Sequence, residues 1–322
     1  MKKRIVSILL ALAMLAGIGG AVSVSARAEG AAAAEARLPA KKELSAQWFK
    51  KRPSDEFNRD IALMAAALVK DETEFKNRYG APGKPLELER FSAGTFIFGV
   101  ENPAWKIGSV ELGDTTLVVV KLDGAGAFGS GQYAVSNFIG YYGYAVKSEA
   151  YGGCRVAAGH RSYADAVWEA LSGLKNRFDG KKNLKLLITG HSMGASCANL
   201  LGVRLEEEGQ ICGRKIGGED IYVYTFEALG VYLDPLSPFS GAKYGNIMNL
   251  VNAVDIAVLF MPGQRFGKTY MFNCPDPEND RHNLSFQEYR DGINGVDPAD
   301  NTQRLWPGNL FAYGALSLAA AF

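Results

Sequence analysis

The sequence predicts an α/β fold with a mostly parallel central sheet flanked by helices. Three observations carry that expectation. The middle of the chain alternates strand patterns with helix patterns, the order that builds a largely parallel sheet. Strand candidates such as Leu186–Ile188 are apolar without alternation, which suits a sheet covered on both faces. One strand also ends in a glycine-rich turn that opens into a helix, in "LLITGHSMGASCANL" (186–200).

The chain divides by composition. Residues 1–28 open with Lys2, Lys3 and Arg4, continue through small and apolar residues, and close on Ala26-Arg27-Ala28. That is the layout of a secretory signal peptide cut after Ala28, so the mature chain is expected to be secreted or extracytoplasmic. No cysteine lies near the cut, so a lipoprotein anchor has no attachment atom. Residues 29–52 are alanine-rich and charged and read as a linker. Residues 53–322 then form one domain of about 270 residues. A net charge of +1 gives no sign of a nucleic-acid partner. The four cysteines, Cys154, Cys197, Cys212 and Cys274, permit disulfides outside the cytoplasm without fixing a pairing. Their spacing does not suit zinc.

In chain order, residues 54–75 read as a helix. Ser54 would cap it, Asp55 and Glu56 would fill its first turn, and Phe57, Ile61, Met64 and Leu68 would form its buried stripe. Residues 95–100, 106–112 and 116–122 read as strands, and those before residue 116 lack intervening helices, so they should be antiparallel at one edge. Residues 124–153 are dense in glycine and tyrosine. An amphipathic helix is expected over 162–178, a strand over 184–189, and a helix over 194–209 stopped by Gly209. Strands follow at 221–229, at the start of 246–258, and at 269–274. The terminal "NLFAYGALSLAAAF" is too short and interrupted to span a membrane.

Gly190-His191-Ser192-Met193-Gly194 fits G-x-S-x-G between a strand and a helix, the setting of a nucleophile elbow. Side chains at 190 and 194 would collide with the neighbouring strand and helix, and the helix N-terminus places free N–H groups beside Ser192. A serine nucleophile needs a base, and the base needs an orienting carboxylate. The histidines are His160, His191 and His282. His191 lies inside the elbow and reads as a packing or turn residue. His160 precedes the nucleophile strand, whereas His282 follows the last strand and fits the Ser…Asp…His order of α/β-hydrolases. Asp255, beyond the apolar run Ile247–Val251, is the carboxylate candidate, with Asp234 and Asp276 as rivals. Asp234 reads as a turn initiator before proline, and Asp276 as a loop residue between prolines. The acidic stretches "DPEND" and "DGINGVDPADN" do not match the twelve-residue calcium loop.

Three stretches resemble the class 3, fungal-lipase-like family of the α/β-hydrolases. "LLITGHSMGASCANLLGVRL" is similar to the family's T-G-H-S-[LM]-G-[GA] elbow and helix. "IYVYTFEALGV" resembles its T-F-G-x-P strand, and "LVNAVDIAVLFMP" its V-N-x-x-D-x-V-P-x-L-P aspartate segment. "RVAAGHRSYADAVWEAL" resembles the family's V-H-x-G-F-x-x-Y stretch before the elbow, and His282 in "RHNLSFQEY" matches the placement of its base. The resemblance implies a Ser192–His282–Asp255 triad and an α/β-hydrolase fold. Two departures stand out. "VVVKLDGAGAFG" replaces the family's R-G-[ST] oxyanion segment, and "TFEAL" lacks its glycine-x-proline.

These readings make the chain a serine ester hydrolase for lipid, acylglycerol or small-molecule esters, needing no metal or organic cofactor. The oxyanion donors would be the N–H of Met193 and one from the loop after "VVVKL", at Asp123 or Gly124. The aromatics Phe128, Tyr133, Phe138, Tyr141, Tyr142 and Tyr144 form either an apolar lid for transient contact with a lipid interface or a surface loop packed on the body. The competing reading is a weak or inert hydrolase-fold protein that binds a lipid or glycan.

Overall fold

The computed structural model describes residues 44–49, 54–79, 86–92, 104–124, 145–232, 243–255, 258, 263–274 and 281–299. The signal-peptide reading over 1–28, most of the linker, the strand at 95–100, the aromatic stretch 125–144, Asp234, Asp276 and the C-terminal stretch lie outside them.

The chain begins with two helices, α1 (Arg59–Lys70) and α2 (Glu72–Tyr79). Three strands follow: β1 (Leu88–Ser92), β2 (Ala104–Leu112) and β3 (Thr115–Leu122). A hairpin of β4 (Ala145–Lys147) and β5 (Arg155–Ala157) leads into α3 (Ala158–Gly173) and the single turn α4 (Lys175–Phe178). Then come β6 (Asn183–His191), α5 (Met193–Glu208) and a small hairpin, β7 (Gln210–Ile211) with β8 (Arg214–Lys215). The order closes with β9 (Ile221–Phe226), β10 (Ile247–Asn252), β11 (Lys268–Phe272) and α6 (Phe286–Gly295).

Seven strands form one sheet in the order β1-β2-β3-β6-β9-β10-β11. β1, β2 and β3 pair antiparallel at one edge, and every pair from β3 to β11 is parallel. This is the expected mostly parallel sheet with an antiparallel edge. The apolar strands are covered on both faces, as side-chain alternation requires. Val118, Val120, Leu186, Ile188 and Val223 face one core layer with Tyr163 and Val167 of α3 and Ala198 and Leu201 of α5. Leu117, Val119, Leu187, Tyr222 and Tyr224 face the other, with Ile61, Met64 and Leu68 of α1 and Tyr289 and Ile293 of α6.

The first helix departs from the sequence expectation. Its N-cap is Asn58, whose side chain accepts from the N–H groups of Asp60 and Ile61 at 3.0 and 3.3 Å. Ser54 instead donates its hydroxyl to Gly218 O at 2.6 Å, a contact distant in sequence and therefore invisible to local capping rules. Asp55 and Glu56 consequently lie ahead of the helix. The helical stretch also breaks at Asp71, which ends α1 and accepts from Thr73 and Glu74 N–H at 2.9 Å to start α2. The helix expected over 162–178 starts earlier, at Ala158, and breaks at Leu174. α5 ends at Gly209, whose φ of 60° is the left-handed backbone that glycine adopts at low cost. β1 and α6 escape the sequence reading.

Asn58→Ala should therefore lower unfolding free energy by about 0.5–2 kcal/mol, the usual cost of a lost N-cap. Urea titration checks this. Equal loss in Ser54→Ala and none in Asn58→Ala would place the cap at Ser54 instead.

Candidate active site

β6 runs through Gly190 into His191, and the chain reverses into α5 at Ser192. Ser192 has φ 56° and ψ −123°, strained left-handed backbone for a residue with a side chain. Two glycines let this turn close. A Cβ on Gly190 would lie 2.5 Å from the carbonyl group of Gly194, and one on Gly194 would lie 2.4 Å from Leu122 O. Hydrogen bonds hold the turn from both sides. Ser192 N–H donates to Phe226 O at 2.9 Å, and Ser196 N–H donates to Ser192 O at 3.0 Å. The hydroxyl thus stands where the central parallel strands end, 4% of the residue being exposed.

Asp255 ends a turn after β10, its N–H donating to Asn252 O at 3.0 Å. It is 1% exposed. Its Oδ2 lies 2.7 Å from His282 Nδ1, and His282 Nε2 lies 2.7 Å from Ser192 Oγ. The structure therefore brings Ser192, Asp255 and His282 together, with the imidazole bridging hydroxyl and carboxylate. The tautomer that satisfies both bonds carries its proton on Nδ1, donates to Asp255, and leaves Nε2 to accept from Ser192. Among the described residues, no group of three or more His, Cys, Asp and Glu side chains is gathered to hold a metal ion.

His282 belongs to no helix or strand, yet its segment is fixed residue by residue. Asn252 Nδ2 of β10 donates to Arg281 O at 3.1 Å. His191 Nε2–H, at the end of β6, donates to His282 O at 2.7 Å. Lys70 Nζ of α1 donates to Asn283 Oδ1 at 2.7 Å. Leu284 is then buried, and Ser285 and Glu288 form a capping box that starts α6. The histidine inside the elbow is thus more than packing, for it holds the main chain of the bridging histidine. Desolvation, with Lys70 and His282 nearby, keeps its pKa well below the ordinary value, so the ring stays neutral and donates. His160 is buried in the first turn of α3, where burial holds it neutral down to about 3.

The proposed oxyanion residues separate. Met193 opens α5, so its N–H has no acceptor within the helix. The Asp123 N–H already donates to Ala104 O at 2.9 Å. Its carboxylate lies 3.8 Å from Lys121 Nζ, and its carbonyl accepts from Tyr163 OH at 3.2 Å. Asp123 is therefore a structural link, and the reading of it as an N–H donor is corrected. Gly124 runs against the elbow, since a Cβ there would lie 2.9 Å from His191 O and 3.7 Å from Ser192 Cβ.

Sequence reading also passes over Glu227, although the missing glycine in "TFEAL" marks its place. Glu227 is completely buried directly after β9, with φ 53°. Its carboxyl accepts from Asn252 N–H at 3.1 and 3.0 Å and from Tyr289 OH at 3.3 Å, and it is hydrogen-bonded to Asp255. Burial, then the charge of Asp255, pushes its pKa well above the usual carboxylate range.

The mostly parallel sheet and the strand–serine–helix turn have the arrangement of the α/β-hydrolase fold. The sequence model of the class 3 lipases matches residues 130–262, which contain the elbow and Asp255. Over that span the chain is similar to the class 3 lipases. His282 lies beyond the matched span. The chain is similar to a lipase from Rhizopus microsporus var. chinensis, at 15% identity over 84% of this chain and 94% of that one, with a TM-score of 0.48. It is also similar to the Rhizomucor miehei triacylglyceride lipase, at 14% identity over 78% and 95%, with a TM-score of 0.46. Lipase II from Rhizopus niveus aligns at 15% identity over 73% and 82%, with a TM-score of 0.48. No curated protein matches the chain.

The buried histidines set an acid sensitivity. His160 has a folded pKa of about 3, and His191 is shifted in the same direction from an unfolded value near 6.5. Below that value the unfolded chain binds more protons. Their stabilising contribution is complete above about pH 6.5 and is lost as pH falls toward the folded values. Glu227, and Glu206 with its pKa raised to about 7, act in the opposite sense, so one group must be isolated. Between about pH 6 and pH 4, wild type should lose up to about 1.4 kcal/mol per pH unit relative to His160→Gln in urea titrations. Parallel pH curves for the two proteins would exclude a neutral buried His160.

Proposed function

We propose that the protein hydrolyses carboxylic esters of lipids or acylglycerols through a covalent acyl-enzyme on Ser192. The observation that carries this reading is the unbroken line from Ser192 Oγ through the His282 ring to Asp255, with both contacts at 2.7 Å. His282 Nε2 takes the hydroxyl proton as Ser192 Oγ attacks the ester carbonyl. Asp255 holds the tautomer and stabilises the imidazolium that forms. The oxyanion gains hydrogen bonds from the N–H groups of Met193 and Gly124, each such donor being worth about 2.7–4 kcal/mol. His282 then protonates the leaving alcohol. Water, activated by the same imidazole, cleaves the acyl-enzyme and restores the serine.

Residues 1–28 would direct the chain out of the cytoplasm and be removed after Ala28. The aromatic residues between 124 and 153 would serve transient contact with a lipid interface.

A serine-reactive fluorophosphonate should label wild type and not Ser192→Ala. On p-nitrophenyl esters of graded chain length, Ser192→Ala and His282→Ala should each lose about a millionfold in kcat, and Asp255→Asn about ten-thousandfold. A wild-type rate equal to that of the variants would sink the catalytic reading. Preference for short, soluble esters over long ones would remove the lipid assignment alone.

A further inference from the structure

We propose that Glu227 is a positioning residue for the triad, a neutral acid that donates its proton in a hydrogen bond to Asp255 and fixes the carboxylate that orients His282. The inference rests on the reading of Ser192, His282 and Asp255 as a triad.

The argument starts from two carboxyl groups sealed in one place. Glu227 is 0% exposed and Asp255 is 1% exposed, and the two meet at Asn252, whose N–H donates to the Glu227 carboxyl and whose carbonyl accepts from the Asp255 N–H. Two carboxylates in such contact repel strongly in a low dielectric, and no hydrogen bond joins them without a proton, so one of them keeps its proton. The partners decide which. Asp255 Oδ2 faces His282 Nδ1 at 2.7 Å, the ring that becomes positive when Ser192 is deprotonated. Its Oδ1 faces the Val258 N–H at 3.4 Å. Glu227 faces neutral donors, the Asn252 N–H from β10 and the Tyr289 hydroxyl from α6.

The charged groups around Glu227 come from several elements. Arg265, in the segment before β11, favours its ionised form but donates its own Nε to Ala228 O. Lys70 of α1 lies 5.3 Å from the centre of the Tyr289 ring, on which Glu288 also acts from within α6. Desolvation and the charge of Asp255 outweigh these cations, and the proton stays on Glu227.

Backbone geometry supports the assignment independently. A glutamate at φ 53° is in the left-handed region, at a cost of roughly 1–2 kcal/mol that glycine would avoid. The strained residue is held in place by its own N–H, which donates to Leu250 O at 3.0 Å. Strain retained beside a reacting group is the pattern expected of a functional side chain. The consequence is chemical. A neutral donor on Asp255 fixes its rotamer, and with it the orientation of the His282 ring, while the imidazolium forms.

The test compares wild type, Glu227→Gln, Glu227→Gly and Ser192→Ala in steady-state ester hydrolysis. Melting temperature and the infrared carbonyl band of a protonated carboxyl at neutral pH are followed alongside. Glu227→Gln keeps a neutral donor to Asp255. Its kcat should stay within about threefold of wild type, with the acid limb of its pH profile in place, because no charge is removed. Glu227→Gly relaxes the left-handed backbone and should fold, yet lose about ten- to a hundredfold in kcat at unchanged KM, the scale on which supporting partners act. The protonated-carboxyl absorption should be weaker in both variants than in wild type, the contribution of Glu206 being common to all three. Equal kcat in the Gln and Gly variants, or a carboxyl absorption as strong in both variants as in wild type, would overturn the proposal while leaving the triad in place. A wild type no faster than Ser192→Ala would overturn the triad reading and the proposal with it.

Discussion

The turn at Ser192 is the constraint around which the rest of the structure is arranged. A serine in left-handed backbone costs roughly 1–3 kcal/mol, which its surroundings must offset. They do so by close approach. Gly194 lets α5 touch the main chain of Leu122 and Asp123, and the β9 carbonyl of Phe226 accepts the Ser192 N–H. The sheet order places β6 between β3 and β9, so the serine emerges among the carboxyl ends of three adjacent strands. Those ends carry Gly124, Glu227 and, one strand further along, Asp255. Open α/β sheets gather function at this edge because their loops converge there.

The polar groups behind the serine are buried and therefore strong. Asp255, Glu227, Asn252 and Tyr289 share hydrogen bonds in a volume nearly free of solvent exposure. Low dielectric strengthens each bond and makes an unpaired polar group expensive, so each of these groups depends on its partners. A second buried polar hub lies nearby along the same strands. Asn249 of β10 accepts from Thr225 Oγ1 at 2.7 Å and from Asn199 Nδ2 at 2.9 Å, and donates to Phe266 O at 2.8 Å. It ties β9, α5 and the approach to β11 into one body, which limits drift between the strands that carry the serine and the aspartate.

The fold was legible because its main signals are local. Apolar runs marked β3, β6, β9 and β10, and Gly190 and Gly194 marked the turn in five consecutive residues. Ser192, Asp255 and His282 could be singled out because each lies just beyond a strand pattern. What stayed hidden depends on partners far along the chain. Ser54 looks like a cap until its bond to Gly218 is seen, and Asn58 then takes the role. The anchoring task of His191 requires knowing that residue 282 folds over it. Glu227 interrupts a familiar strand ending, but only the approach of Asp255 gives that glutamate a purpose. Asp123 misled for the same reason, since its N–H is consumed by Ala104 on the neighbouring strand.

The three consecutive anchors at Arg281, His282 and Asn283 come from β10, β6 and α1 respectively. Those elements belong to the sheet and to a helix packed on it, and α6 starts immediately afterwards. Releasing residues 281–283 therefore means breaking bonds to the body itself. Heat inactivation should therefore track the collapse of the whole molecule rather than an earlier fraying of these three residues.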